Sequence, residues 1–442
     1  RDLHSFPTRR SSDLQLVTGQ YGGAAFVLIY LIFLVILGLP IMVMEFSVGR
    51  ASRKSAAKSF NVLEPENTKW HIHGYTAMAG NYILLMFYTS VAGWMINYIF
   101  RMASGSLLDK SPKETGMVFE NLLSNPVTMI AWTAVALIIT VLICSMGLQK
   151  GVERITKIMM AFLFIILIVL CVRSLSLDGA REGIKFYLIP DFGKMLEHGP
   201  GETIFAAMGQ SFFTLSLGIG SMAIFGSYID KNRSLTGETL SICGLDTLVA
   251  LLSGLVIFPA CFAFKVLPGS GPGLVFVTLP NIFNKMAAGR LWGTLFFIFM
   301  SFAALSTLIA VFENILAFCK DLWNWERKKA VLINGIIIFI TSLPCILGFN
   351  VLSFITPLGA GSTIQDLEDF IVSNNLLPLG SLIYLLFCTS RYGWGWDNFI
   401  QEANTGKGIR FPRWGKAYFT YILPVIIIFI LLMGYWQKFL AH

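Results

Sequence analysis

Four residues inside apolar stretches of this sequence have side chains or carbonyls that could bind a small cation. Asp246 lies several residues inside such a stretch, where a carboxylate costs about 2.5–3.5 kcal/mol on membrane-insertion scales and therefore usually faces a cavity and serves a function. Ala303, Ser306 and Thr307 follow i, i+3 and i+4 spacing, which places one carbonyl and two hydroxyls on one helix face. Two structural alternatives stay open. Asp246 could extend from a helix end to the membrane interface, and the two hydroxyls could be packing residues.

The apolar stretch from residue 202 to residue 229 contains a break at its centre. Ser216, Gly218 and Gly220 interrupt it there, and each glycine costs a helix about 1 kcal/mol. Non-helical backbone at membrane depth is tolerated only where it is buried in protein or lines a cavity, so an interrupted helix often indicates the substrate and ion site of a transporter. Thr214 lies beside the break, although a mid-helix threonine more often bonds its own backbone. Close helix packing through small residues is the alternative interpretation of the glycines.

These residues must be positioned by membrane helices. Of 442 residues, 55% are hydrophobic and 13% are charged, whereas a soluble protein of this length carries about 25% charged residues. The run from Ala24 to Met44 contains no charge and is long enough to cross a hydrocarbon core of about 30 Å. We predict an all-α polytopic membrane protein with ten spans. Their predicted ranges are 22–48, 75–102, 126–147, 152–175, 202–229, 238–264, 291–318, 329–347, 365–388 and 415–437.

The distribution of basic residues over the loops accounts for the formal net charge of +8. If the first span enters from outside, the cytoplasmic loops hold more of the 33 Lys and Arg residues than the opposite loops, as the positive-inside rule requires. Nucleic-acid binding is therefore not supported.

The seven cysteines are scattered without CxxC spacing, which argues against a disulfide framework or a metal cluster. His71 and His73 are interpreted as parts of a solvated loop. The sequence contains no HExxH or GxSxG motif, so we predict that the protein is not an enzyme.

Several blocks of this sequence occur in the order known from one transporter family. The blocks are GQSFFTLSLGIG at 209–220, YGGAAF at 21–26, GLP at 38–40, MEF at 44–46, GPGLVF at 271–276, LPN at 279–281 and SNNLLP at 373–378. On these residues the chain resembles the neurotransmitter:sodium symporter family, with most similarity to its bacterial amino-acid transporters, over residues 17–440. The resemblance implies an inverted five-helix repeat fold. Substrate and sodium would be held where the family's first and sixth helices unwind.

The family's first helix is expected to be missing from this chain. Residues 1–14 are polar and rich in Arg and Ser, and we interpret them as a leader foreign to the protein, with a genuine cytoplasmic tail as the alternative. Residues 15–440 would form a single transporter domain, with ten of the eleven native helices. The first helix would complete both sodium sites, the substrate site and the outer gate, so this chain alone is expected to be inactive.

The resemblance implies two sodium sites and one position equivalent to an anion site. The first sodium site would include Thr214 and Asp246. The second would consist of the residues with helical spacing, Ala303, Ser306 and Thr307. The eukaryotic members hold chloride beside the first site, and the residues expected around the equivalent position are Tyr30, Gln210 and Asp246. Because a fixed acid would replace the anion, we expect chloride-independent transport, and Asp246 could pick up a proton on the return step.

The substrate site implied by the resemblance is apolar except at one end. Tyr88 matches the tyrosine whose hydroxyl binds the substrate carboxylate, and the N-termini of half-helices also favour an anionic group. The other residues expected to line the site are Leu84, Phe213, Thr214, Ser216, Ile219, Thr307 and Val311. None of them is charged, which favours a hydrophobic or aromatic amino acid.

Three acids match moving or supporting parts of the family fold. Asp369 matches the extracellular gate acid, and Asp321 matches the cytoplasmic gate acid. Glu45 matches a buried glutamate that steadies the unwound segments, with an interfacial position as the alternative. Asp366 and Glu368, beside Asp369, are expected to be solvated. No role can be argued for Glu313.

The sequence thus predicts sodium-coupled uptake of a hydrophobic or aromatic amino acid by alternating access. The protein would be a multi-pass protein of the cell (inner) membrane, with the amino acid, sodium ions and the lipid bilayer as partners and a homodimer left open. A binding-only membrane sensor on the same fold and another sodium:solute symporter are the alternatives. The sequence does not define the amino acid or the sodium stoichiometry.

Overall fold

The computed structural model describes residues 23–193, 200–265 and 273–439 and is almost entirely helical. In these ranges the only strand-type pairing is one isolated bridge between Arg233 and Lys407. The segment 1–14 lies outside the described residues, so its interpretation as a leader stays a prediction. The helices of the described ranges are α1 (Ala24–Ser52), α2 (Ala56–Leu63), α3 (Ile72–Ser104), α4 (Pro112–Ser124), α5 (Pro126–Ser145), α6 (Gly151–Leu175), α7 (Ala180–Leu188), α8 (Pro200–Thr214), α9 (Ser221–Tyr228), α10 (Leu235–Ala263), α11 (Leu279–Lys285), α12 (Gly289–Trp323), α13 (Arg327–Leu347), α14 (Ile364–Thr389), α15 (Trp396–Ala403) and α16 (Arg413–Phe439).

Nine of these helices in the described ranges are long and apolar enough to cross a membrane. They are α1, α3, α5, α6, α10, α12, α13, α14 and α16, and they coincide with nine of the ten predicted spans. The remaining predicted span, 202–229, consists of the two shorter helices α8 and α9. The chain is therefore a polytopic helical membrane protein, and one of its predicted passages is not a continuous helix.

The predicted break in this passage is confirmed, because the residues between α8 and α9 do not form a helix. Ser216, Gly218 and Gly220 have φ angles of 51°, 93° and 78°. These angles lie in the left-handed region, which glycine adopts at no steric cost but a residue with a Cβ adopts rarely. Three such residues within one short segment prevent α8 from continuing into α9.

Helices α3 and α12 form the centre of the packing. They pack against each other, and α3 also contacts α5 and α13. Buried side chains between them include Leu84 and Leu85 of α3 and Leu308 and Phe312 of α12. Such helices are apolar around most of their circumference, so the few polar side chains that they carry inward are conspicuous.

The short helix α9 lies directly against the backbone of α1. A Cβ added at Gly49 of α1 would overlap the carbonyl of Ala223, and one added at Gly226 of α9 would overlap the backbone at Phe46. Glycine on both helices thus permits a separation that larger side chains would prevent. This contact holds α9 against α1. It therefore also positions the end of the break that leads into α9.

Candidate functional site

Glu45 of α1 holds the broken segment through three backbone hydrogen bonds. Its carboxylate accepts from the N–H groups of Gly218 (3.0 Å), Met222 (3.0 Å) and Ala223 (3.4 Å), and its side chain is fully buried. The first N–H groups of a helix have no partner within the helix and carry the positive end of its dipole, so a carboxylate is well matched to them. Glu45 therefore provides hydrogen-bond acceptors for backbone N–H groups both in the break and at the start of α9.

Two buried asparagines connect the same segment to α3 and α12. Asn81 of α3 donates to the carbonyl of Ile219 within the break (2.8 Å). Asn314 of α12 donates to the Asn81 side-chain oxygen (3.1 Å) and to the Ser221 hydroxyl at the start of α9 (2.8 Å). Both asparagines are almost fully inaccessible, and their side-chain amides hold the segment against α3 and α12 together.

Gly218 and Gly380 allow the break to contact the backbone of α14. A Cβ added at Gly380 would overlap the Gly218 carbonyl, and one added at Gly218 would lie 2.6 Å from the Ser381 nitrogen. No side chain fits between these two backbones. The break is therefore enclosed by α1, α3, α12 and α14.

Gly380→Ala should displace the break and reduce any activity that depends on it. Forcing one methyl group into such a contact costs about 1–3 kcal/mol, and the thermal midpoint should fall accordingly. Gly116→Ala is a suitable control, because a Cβ added there would meet nothing within 4 Å. A Gly380→Ala protein with unchanged melting temperature and activity would contradict this account of the contact.

The structure brings several predicted substrate-site residues together beside the break. Leu84 of α3, Ile219 of the break and Val311 of α12 belong to one buried hydrophobic cluster, and Tyr88 of α3 packs against it. Ser216 and Thr307 are partly exposed. Phe213 lies in α8, but its side chain is outside what the structure describes. These residues create an apolar surface beside freed backbone groups.

The residues predicted around the first sodium and anion-equivalent positions also lie in one region. Thr214 donates to the carbonyl of Gln210 (2.9 Å), as expected for a back-bonded threonine, and accepts from the Gln210 amide at 3.4 Å. Tyr30 is buried near Thr214 and Asp246, and its hydroxyl has no hydrogen-bond partner of normal geometry among the described residues. A buried hydroxyl of this kind normally finds a partner, so a bound ion or water would fit there.

The predicted second sodium site shows the expected spacing on α12. The hydroxyls of Ser306 and Thr307 both donate to the Ala303 carbonyl, at 2.8 and 3.2 Å. A hydroxyl that donates its proton keeps its oxygen lone pairs. The two hydroxyl oxygens can therefore still face a cation, whereas the Ala303 carbonyl would have to exchange a hydroxyl donor for the ion. All three residues are partly exposed.

The two predicted gate acids lie far apart in the chain and have different surroundings. Asp369 of α14 accepts from the Ser373 hydroxyl at 2.7 Å. Asp321 of α12 accepts from the backbone N–H of Ser55 at 2.7 Å and lies 3.6 Å from the Lys54 ammonium. Asp321 also lines a cavity of about 340 Å³ at the predicted cytoplasmic end. Asp321 therefore lies between a partly exposed lysine and this cavity.

Glu313, to which the sequence assigned no role, forms a bidentate ion pair with Arg327. The two N···O distances are 3.0 and 2.6 Å, and Arg327 also donates to the Cys144 carbonyl at 2.8 Å. The pair lines the same cavity as Asp321. It ties α12 to the start of α13 and to the end of α5.

Two expectations about solvated residues are wrong. Asp366 and Glu368 are 9% and 8% exposed, because the start of α14 packs against α3 and α13. His73 is also buried, within the first turn of α3, with its ring against those of Phe60 and Tyr384. Periodicity did not indicate these positions, because their burial comes from contacts with other parts of the chain. Among the described residues there is no group of three His, Cys, Asp or Glu side chains that could hold a metal.

Comparison with known proteins gives matches along nearly the whole chain. A family model described as the Sodium:neurotransmitter symporter family matches residues 15–115 and 119–439. The uncharacterized sodium-dependent transporter YhdH of Bacillus subtilis is 36% identical over 422 residues, which are 95% of this chain and 92% of the relative. An uncharacterized sodium-dependent transporter of Haemophilus influenzae is 32% identical over 427 residues, 94% of this chain and 91% of the relative.

A solved structure has the same fold. The crystal structure of MhsT in complex with L-phenylalanine superposes with a TM-score of 0.83 at 38% sequence identity. The superposition covers 96% of this chain and 94% of that chain.

Proposed function

Because the chain belongs to the sodium:neurotransmitter symporter family, we propose that it carries a hydrophobic or aromatic amino acid into the cell together with sodium ions. The family and its relatives support sodium-dependent transport of a solute by a multi-pass membrane protein, and the relatives are transporters rather than enzymes. The class of substrate, the number of sodium ions and the location in the cell (inner) membrane are parts of the proposal.

The observation that carries the proposal is the broken helix held beside an apolar surface. The backbone of the break leaves the helical hydrogen-bond pattern, while Glu45, Asn81 and Asn314 hold it in position. Leu84, Ile219 and Val311 supply apolar surface without any charge. A small solute with polar main-chain groups and an apolar side chain matches this combination. The L-phenylalanine in the MhsT complex has the same chemistry.

Sodium enters the proposal as a co-transported substrate at two places. The Thr214 hydroxyl, beside Asp246 and Tyr30, would contribute to the first, and the Ala303 carbonyl with the Ser306 and Thr307 hydroxyls to the second. A small hard cation prefers oxygen ligands of these kinds. Binding of sodium would favour the arrangement of the break that also binds the amino acid.

Alternating access would require α8 and α9 to move with the break that joins them. At the predicted cytoplasmic end, the contact of Asp321 with Lys54 and Ser55 borders the cavity through which substrate would leave. The Lys54 side chain is 45% exposed and that of Asp321 is 15% exposed, and ion pairs near the surface contribute little stability, about 0–1 kcal/mol. It can therefore open and close at low energetic cost, as a gate must.

Replacing Asp246 tests the proposed chloride independence. Asp246→Asn removes the fixed negative charge, so uptake should become chloride-dependent and fall at least about tenfold in chloride-free buffer, which corresponds to roughly 1.4 kcal/mol. The measurement is sodium-driven uptake by full-length protein in liposomes with chloride or gluconate. Asp230→Asn is the control, because Asp230 is exposed outside the helices. If Asp246→Asn transports equally with and without chloride, the proposed role is wrong.

A binding-only membrane sensor is the second candidate, since the same break could bind an amino acid without moving it. The two proposed sets of sodium ligands favour transport, because a sensor has less need of ion coupling. Uptake against a concentration gradient distinguishes the two candidates directly.

A further inference from the structure

The outer end of α14 contributes to a buried polar cluster that the proposed substrate and sodium sites do not use. The cluster consists of Ser90 of α3, Cys345 of α13 and Gln365 and Glu368 of α14. Ser90, Cys345 and Gln365 are fully inaccessible, and Glu368 is 8% exposed. A carboxyl group inside a membrane protein is costly and usually functional.

The thiol of Cys345 lies at the centre of this cluster. It donates to the Gln365 side-chain oxygen at 3.7 Å and lies 4.0 Å from the Ser90 hydroxyl. It also interacts with the Glu368 carboxyl. All the direct neighbours of this carboxyl in the cluster are therefore neutral groups.

Two polar atoms of the cluster have no hydrogen-bond partner among the described residues. They are the Nε2 donor of Gln365 and the Oε2 atom of Glu368. Residues three apart share a helix face, so both atoms lie on the side of α14 that contacts α3 and α13. An ionised carboxylate left in this state would lose several kcal/mol of solvation without compensation.

The charges near Glu368 do not provide that compensation. From α3, the Ser90 hydroxyl reaches the cluster through the Cys345 thiol, and from α13 that thiol interacts with the Glu368 carboxyl. On α14 itself the neighbouring charged groups are the acids Asp366 and Asp369. The Lys438 ammonium of α16 acts on Asp366, whose carboxylate also accepts from the backbone and side chain of Thr363.

We propose that the Glu368 carboxyl is a proton-binding site, which holds a proton in this conformation and releases it to extracellular water when the outer end of α14 moves. In the release step the O–H bond breaks, its electron pair stays on the carboxylate, and the proton passes to water. A sodium ion suits the cluster less well, because the Gln365 amide would present its donor and Cys345 its thiol where a cation needs oxygens.

The structure of α14 provides a reason for such movement. Its outer part, Ile364–Asp369, is followed by a π-helical segment, Phe370–Leu376. π-helical segments within α-helices frequently occur at functional sites. The outer part also carries Asp369, the proposed extracellular gate acid. The link between proton release and transport rests on the proposed function. The binding of a proton by the Glu368 carboxyl does not depend on it.

Infrared spectroscopy of the full-length protein in liposomes at neutral pH tests the proposal. The difference spectrum between wild type and Glu368→Gln should contain the carbonyl band of one protonated carboxylic acid. Glu120→Gln, which changes an exposed acid of α4, should not produce this difference. A Glu368→Gln difference spectrum that shows a carboxylate band, or no carboxyl band, overturns the proposal.

The stability of the same variant provides the second measurement. Glutamine and protonated glutamic acid are both neutral and similar in size, so Glu368→Gln should fold and melt close to wild type. A variant that fails to fold counts against the proposal, because that result indicates a required carboxylate. If the infrared band is present but the protein transports no amino acid, only the proposed function fails.

Discussion

Glu45→Ala is expected to abolish sodium-dependent uptake and to destabilise the protein strongly. The Glu45 carboxylate accepts hydrogen bonds from three backbone N–H groups at and after the break. Each buried donor left without a partner costs about 1–3 kcal/mol. The break would lose its only observed acidic partner among the described residues, and the substrate and sodium positions that depend on it would shift. Uptake in liposomes and thermal unfolding in detergent measure the two effects.

Two further variants show whether the backbone hydrogen bonds cause the effect. Glu45→Gln keeps one acceptor oxygen but places an N–H₂ group against backbone donors, so its stability and uptake should fall between those of wild type and Glu45→Ala. Glu66→Ala removes an exposed acid and should change neither. If Glu45→Ala retains wild-type uptake, Glu45 does not hold the break in its working arrangement.

The second large effect is expected at the ion pair between Glu313 and Arg327. The Glu313 side chain is 8% exposed and that of Arg327 is 30% exposed. Removing one partner of a buried pair costs about 3–5 kcal/mol, because the other charge is left without compensation. Arg327→Met should therefore destabilise more than Glu313→Leu, since it leaves the more deeply buried charge unpaired. Thermal unfolding of both single variants measures the order.

The double variant Glu313→Leu with Arg327→Met distinguishes the pair from two independent contacts. Replacing both charges by apolar groups removes the uncompensated charge, so most of the lost stability should return. Uptake should recover less, because the pair lines the cavity at the predicted cytoplasmic end. Additive losses in the double variant would show that the two residues do not stabilise each other.

The sequence predicted the features of this protein that depend on local composition. Long uncharged runs identify membrane helices whatever their neighbours, because backbone groups in lipid must bond within the helix. The break between Thr214 and Ser221 was also predictable. Gly218 and Gly220 adopt the left-handed conformation there, and no other residue type does so as easily.

The sequence could not predict contacts between helices that are distant in the chain. Asn81 and Asn314 are single polar residues in apolar helices, which is the signal that could have found them. Their joint contact with the break depends on how α3 and α12 are rotated. The burial of Glu368 has the same origin, because its surroundings come from α3 and α13 rather than from its own helix.

The proposed roles of individual site residues rest on geometry and on family position. The structure places Leu84, Ile219 and Val311 in one cluster, which supports an apolar side-chain site.

Uptake of labelled L-phenylalanine and L-leucine by full-length protein in liposomes is the most direct test of the proposed function. An inward sodium gradient should drive accumulation of at least one of them above its external concentration, and replacing external sodium with potassium should abolish that accumulation. A protein that binds either amino acid but never accumulates it under a sodium gradient would contradict the symporter account.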